Sequence, residues 1–263
     1  MPDLLVLAAF LSFVVFLLTS RYRIPAALAG WCCIVLNLWL ELPAFLSEDN
    51  FLYPFLALLA LPFLLITMDR LLHDDPIILR LSRTAAIATL IWVPFALVPF
   101  LGNGLIAFTV SFVFPIISTL GHHPQLFAWD VIAENGFYNQ IVLSCTGILA
   151  VAVMIGLVFT EKVSTRQAVI AFLLVVPMLL ILNLFRIAVV FIAVADRWFA
   201  AFPDPTGTGD ANFFWAHNVI AEGLALGFLF LLLCLLTRFI PSLKMSMSEA
   251  ISVYCAPLLR LVR

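Results

Sequence analysis

The chain has 263 residues, 65% of them hydrophobic and 11% charged, and apolar stretches of near twenty residues recur along its whole length; this is the composition of an integral membrane protein built of helices. The formal net charge of −2 is too small to argue for nucleic acid or a strongly charged partner. Spans and short connections use up the length, which leaves no separate soluble domain: one membrane domain over residues 1–240 and a tail over 241–263.

The predicted spans are residues 3–19, 24–40, 51–68, 84–101, 141–159, 167–195 and 214–239. Backbone groups in lipid must pair within their own segment unless the chain closes as a barrel, and continuous apolar runs without alternation exclude the barrel. The first run, Leu4 to Leu18, has no basic residue before it, while Arg21 and Arg23 follow it directly. It therefore lacks the basic start of a secretory signal and reads as a retained span. Of the five cysteines, Cys32, Cys33 and Cys234 fall inside apolar runs and Cys255 in the tail, so no disulfide framework is expected. Cys145 stands apart, in Ser144-Cys145-Thr146-Gly147.

Orientation follows from the lysines and arginines, which cytoplasmic loops retain. Arg21 and Arg23 put the first loop inside, the turn around Glu41, Glu48 and Asp49 goes outside, and Arg70, Arg80 and Arg83 mark the next inside loop. Lys162 and Arg166 mark another, and Arg238, Lys244, Arg260 and Arg263 place the tail inside as an amphipathic, interface-lying segment. Eleven of the thirteen basic residues are then cytoplasmic, leaving Arg197 outside and Arg186 in the membrane. This arrangement puts 102–140 outside at both ends, so the apolar stretch 105–120 must re-enter or lie flat. Its sixteen residues reach only about 24 Å as a helix against a core of roughly 30 Å, and Pro115 is expected to interrupt them. The expected fold is an all-α bundle of about seven spans plus one partial segment, seven to eight transmembrane helices in all. An eight-crossing count would export five arginines. The polar connection 121–140, with His122, His123, Asp130, Glu134 and the turn pair Asn135-Gly136, is expected to form an outer hairpin or cap.

Arg186 lies deep in an otherwise apolar run, where an ionised side chain carries a free-energy penalty that packing alone does not return. Counting along the predicted helices puts Cys145 roughly 6 Å, Arg186 roughly 14 Å and His217 roughly 5 Å from their outer ends, so all three belong to the outer leaflet. Asn183 and Arg186 share a face at a spacing of three, and Asn218 and Glu222 share one at a spacing of four. A cysteine near the positive end of a helix and beside a guanidinium has its thiolate favoured. The arginine stays charged and stabilises the thiolate and then an oxyanion, and a histidine delivers and takes protons. The set describes acyl transfer through a thioester. Plainer roles exist for each residue: a membrane cysteine commonly fills apolar space, Arg186 would also suit an ion pair with Glu222 or Asp196, and His217 a helix cap. His122 and His123 lack a clear set of further metal ligands, and Cys32-Cys33 lacks metal spacing. A channel or transporter would use Arg186 and Glu222 as pathway charges, and a scaffold would tolerate the loss of any of the three.

Residues Ile141 to Ile148, then Asn183-Leu184-Phe185-Arg186-Ile187, then Ala216-His217-Asn218 resemble the archaeosortase and exosortase family of membrane transpeptidases, over roughly residues 105–240. Cys145-Thr146-Gly147 is similar to that family's Cys-Thr/Ser-Gly core and Asn183-x-x-Arg186 to its arginine site. The resemblance implies Cys145 as nucleophile, Arg186 as essential cation and His217 as third member, with Asn183, Asn218, Glu222 and Thr146 around them and neither cofactor nor metal. Family members place either arginine or histidine third, so Arg197 and Arg238 stand as alternatives; Arg238 is disfavoured because it belongs at the inner end of its helix. It further implies cleavage outside the cell membrane of surface-protein precursors that carry a short motif, a carboxy-terminal span and basic residues. By the same resemblance the new terminus is expected to pass to a phospholipid head group, with water as the acceptor in the alternative of a simple protease.

Overall fold

The computed structural model describes residues 2–47, 52–205 and 211–261, so the turn residues Glu48 and Asp49 and the terminal Arg263 lie outside the described residues. Among the described residues six helical segments are long and apolar enough to cross a membrane. They are Arg23–Ser47, Leu52–Leu72, Pro76–Leu97, Pro99–Thr119, Thr165–Ala195 and Ala211–Phe239. The chain is a multi-pass membrane protein. The first span comprises α2 (Arg23–Leu40) and α3 (Leu42–Ser47); α4, α5, α6 and α8 are the next four; the last comprises α9 (Ala211–Phe213), a π-helical stretch (Phe214–Ala221) and α10 (Glu222–Phe239). Two more apolar helices, α1 (Pro2–Leu18) and α7 (Ile148–Thr160), have only 17 and 13 residues. Six spans qualify by length, against the seven to eight expected.

Three boundaries differ from expectation for local reasons. Helix α5 begins at Pro76, well before the predicted start at residue 84, because Asp75 Oδ1 accepts the Ile77 N–H at 2.8 Å and proline suits a first helical position. Arg80 and Arg83 are therefore helical, not loop, residues. The segment expected to be short and broken at Pro115 is part of a continuous 21-residue helix, α6, roughly 31 Å long. A proline ring removes one hydrogen bond, which a membrane helix tolerates when the freed carbonyl is satisfied elsewhere. The span predicted from residue 141 begins as a turn, and helix starts only at Ile148.

The 121–140 connection forms a three-stranded antiparallel meander, β1 (Gln125–Ala128), β2 (Val131–Glu134) and β3 (Phe137–Gln140). Asn135 and Gly136, at φ 53° and 82°, make the two-residue β2–β3 turn that this pair favours. The apolar stretch around residues 127–133 is split across two strands by Trp129 and Asp130. Asp130 pins that turn, its carbonyl accepting the Ile141 N–H at 2.8 Å and its carboxylate the Gln140 amide at 2.9 Å.

By internal packing the chain divides into two units. The first comprises Met1–Val93, Ala152–Phe172 and Leu233–Arg263. Its core holds Phe13, Ala27, Trp31, Leu71, Ile78, Ala86 and Val253. Its helices approach closely where glycine allows: a Cβ on Gly156 would meet the Thr84 carbonyl at 2.7 Å. Its buried polar groups pair between helices, Trp31 Nε1 donating to Ser82 Oγ at 2.9 Å and Thr84 Oγ1 to Thr160 Oγ1 at 3.0 Å. The carboxy-terminal helix α11 (Pro241–Leu261) packs here, with Tyr254 stacked on Phe63 and its hydroxyl 2.8 Å from Thr67 Oγ1. Burial, and secondarily the charge of Asp75, push the Tyr254 phenol above its ordinary value against the Thr67 hydrogen bond.

The basic connections of this unit meet one another. Arg23, at the start of α2, forms a bidentate bridge to Asp74 at 2.7 and 2.9 Å. Arg80 reaches Ser246 and, at 3.4 Å, Glu249 on α11, while Gln167 at the start of α8 donates to the Phe239 carbonyl at 3.1 Å. The segments read from charge as sharing one side thus gather at one end of the unit.

The second unit comprises Pro94–Val151 and Leu173–Leu232. One face of α8 (Thr165–Ala195) presents Ile187, Ala188, Phe191 and Ile192 to Ile106, Val110, Val113 and Ile117 of α6, together with Ile132 and Ile141. Another presents Val190, Ala193 and Val194 to Ala216 and Ala221. Helix α8 thereby sets the position of both the turn after β3 and the π-helical stretch.

Candidate active site

Cys145 occupies a 3-10 turn, Leu143–Thr146, entered from the extended Val142 and left through Gly147. The Cys145 N–H donates to the Val142 carbonyl at 2.9 Å, and buried Thr146 ties the turn with an Oγ1 bond to the Leu143 carbonyl at 2.7 Å. Gly147 has φ 77°, a left-handed conformation that side chains disfavour, and a Cβ there would meet Asn183 Cγ at 3.2 Å. The chain reverses through this residue and α7 begins at the next. Cys145 therefore precedes a helix instead of lying four residues inside one, which corrects the depth expected for it. It stays beside the positive end of that helix, where the first N–H groups have no intrahelical acceptor.

From α8, Asn183 Nδ2 donates to the Cys145 carbonyl at 2.6 Å, and Arg186 Nη1 donates to Asn183 Oδ1 at 3.3 Å. The asparagine bridges the cysteine turn and the guanidinium. Among the described residues no salt bridge to Arg186 is seen within 4 Å. Its Nε is buried without a hydrogen-bond partner.

His217 lies in the π-helical stretch, its ring stacked on Phe213 at 4.9 Å and 8°. Its Nδ1 is 2.7 Å from Asn218 Oδ1; an amide oxygen only accepts, so Nδ1 donates and Nε2 keeps its lone pair in the neutral ring. Glu222 opens α10, its N–H bonded to the carbonyls of His217 and Val219. The structure thus joins the Cys145 backbone, Asn183 and Arg186 by hydrogen bonds, and packs α8 against Ala216 and Ala221 of the π-helical stretch that carries His217. Of the two alternatives, Arg197 is exposed in the left-handed turn that ends α8, at φ 54°, and Arg238 sits in the last turn of α10 within the first unit.

An apolar cavity of about 280 Å³ adjoins this chain of contacts. Asn183 and Arg186 are its polar lining residues, among small side chains including Gly147, Ala150, Ala216 and Ala221. A guanidinium with a spare buried donor at the edge of an apolar cavity can hold negative charge better than it would in water.

No protein-family profile and no solved structure matches this chain. It is 26% identical over 229 residues to archaeosortase A of Haloferax volcanii, covering 75% of this chain and 74% of that protein. It is likewise 26% identical over 198 residues to archaeosortase A of Natronomonas pharaonis, covering 67% of this chain but 62%, under two thirds, of that protein. These matches support an archaeosortase-family assignment.

Beside the family's Cys-Thr-Gly and Asn-x-x-Arg patterns, the structure draws in residues that sequence reasoning passed over. Gly147 was legible as motif but not as the residue whose missing side chain admits Asn183. Phe213, the ring beneath His217, gave no signal in sequence. His122 lies between two carboxylates, Nδ1 3.2 Å from Glu134 and Nε2 3.6 Å from Asp196. It fastens the strand β2 to the end of α8, a link that the spacing of its residues could not reveal.

Proposed function

We propose that this chain is an archaeosortase-like cysteine transpeptidase of the cell membrane. It cleaves surface-protein precursors near a carboxy-terminal span with a basic tail and transfers the new terminus to a phospholipid head group. The observation that carries this reading is the Asn183 bridge, which couples the turn bearing Cys145 to Arg186 with no other partner competing for the asparagine oxygen among the described hydrogen bonds. The names of the two relatives support a sortase-like carboxy-terminal processing role in general.

His217 takes the Cys145 thiol proton on Nε2, and the resulting thiolate attacks the carbonyl carbon of the scissile peptide bond while the carbonyl π electrons move to oxygen. Arg186 stabilises that oxyanion. The intermediate collapses, the carbon–nitrogen bond breaks, and the departing amine takes a proton from His217, leaving a thioester on Cys145. A head-group amine or hydroxyl then attacks the thioester, His217 takes its proton, and the thiolate leaves. Asn183 and Asn218 hold the arginine and histidine, while Thr146 and Glu222 hold the backbone on which Cys145 and His217 sit.

In this reading the basic end of the first unit is cytoplasmic, the β-meander caps the site outside, and α1 and α7 complete seven crossings. Helix α6, though long enough to span, remains on the outer side. Depth near the head groups suits a peptide bond just above a span and a lipid acceptor alike.

The test is co-expression with a precursor bearing such a tail, followed by mass measurement of the product. Wild type is expected to yield a shortened product carrying lipid mass, and Cys145→Ala an uncleaved precursor at equal membrane insertion. Processing by the alanine variant ends the proposal, and a product with only the mass of hydrolysis ends the transfer step.

A further inference from the structure

At the basic end of the first unit lies a second cavity, of about 230 Å³, lined by Phe16, Leu17, Arg23, Pro76, Leu79, Arg80 and Arg83. Three of its seven lining residues are arginines and none is acidic. Asp74 occupies one face of Arg23, and Glu249 with Ser246 takes up part of Arg80. Arg83 makes no hydrogen bond or salt bridge among the described residues, so three guanidinium groups face two carboxylates and one positive charge is left over. Arg23 is the first residue of α2, which begins at the edge of the cavity, and the Tyr22 side chain makes no hydrogen bond to its first turn. The remaining walls are apolar: Phe16 and Leu17 from the last turn of α1, Leu79 and Pro76 from the first of α5.

These residues lie in the last turn of α1, at the first residue of α2 and within about the first two turns of α5, near the level at which a bilayer changes from hydrocarbon to head group. The volume is several times the roughly 30 Å³ of a water molecule, enough for a phosphate-sized group. Arginine forks match phosphate oxygens in pairs, and apolar walls beside them suit the first carbons of an acyl chain. We propose that the Arg23–Arg80–Arg83 pocket binds the phosphate of an anionic phospholipid, a site separate from Cys145 and independent of the reaction there. The charge left on Arg83 selects anionic over zwitterionic lipid, and the apolar wall selects lipid over free phosphate.

The full-length protein in detergent is titrated with phosphatidylglycerol, with phosphatidylcholine of the same chains, and with inorganic phosphate, and bound lipid is counted by native mass spectrometry. One phosphatidylglycerol per chain is expected to bind in preference to phosphatidylcholine, with phosphate alone not displacing it at equal concentration. Arg83→Gln is expected to lower that preference about fivefold, while Arg166→Gln, an exposed charge outside the pocket, leaves it intact. Equal loss in both variants, no preference between the lipids, or displacement by phosphate each overturns the proposal. Arg83→Lys keeps the charge if the glutamine variant does not fold, and is expected to retain part of the preference; a lysine variant with no preference at all overturns it too.

Discussion

The two units treat their buried polar groups in opposite ways. In the first, Trp31 finds Ser82, Thr84 finds Thr160 and Thr67 finds Tyr254, each pair joining different helices; Asn37, whose Oδ1 is buried unmatched, is the exception. In the second, Arg186 spends one donor on Asn183, keeps a buried Nε unmatched and lines a cavity. Matched pairs inside a membrane bundle hold helices together, whereas a charge held by one neighbour and left with spare capacity is arranged for something that arrives later.

The sharpest way to break this contrast is Arg186→Gln. Precursor processing is expected to fall by about 10²- to 10³-fold, as on loss of an oxyanion donor, with thermal stability little changed. A variant that processes normally but melts early makes Arg186 a structural residue and erases the difference between the units. Gly147→Ala comes next, since its Cβ must adopt φ 77° and press on Asn183 at 3.2 Å. A loss of about 1–3 kcal/mol in stability and of roughly tenfold in processing is expected, the second because the asparagine bridge shifts. Unaltered processing by folded Gly147→Ala removes the bridge from the mechanism.

Ser82→Ala sharpens the other side. It leaves the Trp31 indole N–H buried without an acceptor and is expected to lower stability by about 1–3 kcal/mol, while the folded fraction processes at the wild-type rate. A processing defect with intact stability would place function in the wrong unit. The smallest effect is alkaline. The folded state holds the Tyr254 phenol above its ordinary value, near 10 when unfolded, so its contribution is whole below that pH and is lost as pH rises toward the folded value. Tyr254→Phe is expected to remove this slope from the melting temperature above about pH 10, and an unchanged slope assigns it to another group.

Much of the helical architecture is legible in composition alone, because lipid leaves the backbone few choices. Boundaries are less so. The Asp75-Pro76 start extends a helix into residues whose charge made them look like loop, and Gly147 turns what hydropathy reads as one span into a turn followed by a short helix. Cys145, Arg186 and His217 stood out by chemistry, yet Asn183 gained its central place only through a contact between residues 38 positions apart. The Phe213 stack and the His122 clasp depend on tertiary approach that no local pattern encodes. The π-helical winding is equally silent in sequence, since it differs from an α-helix only in which carbonyl each N–H meets.

That winding has a consequence for how the last span meets two unrelated demands. A wide turn takes up one residue more than the regular helix, so side chains before and after it fall out of step by roughly 100°. Residues 223–239 can then keep the apolar phase their lipid neighbours require while His217 and Asn218 follow another. Phe214–Ala221 acts like a slipped gear tooth, freeing the chemistry at one end of the rod from the oil at the other.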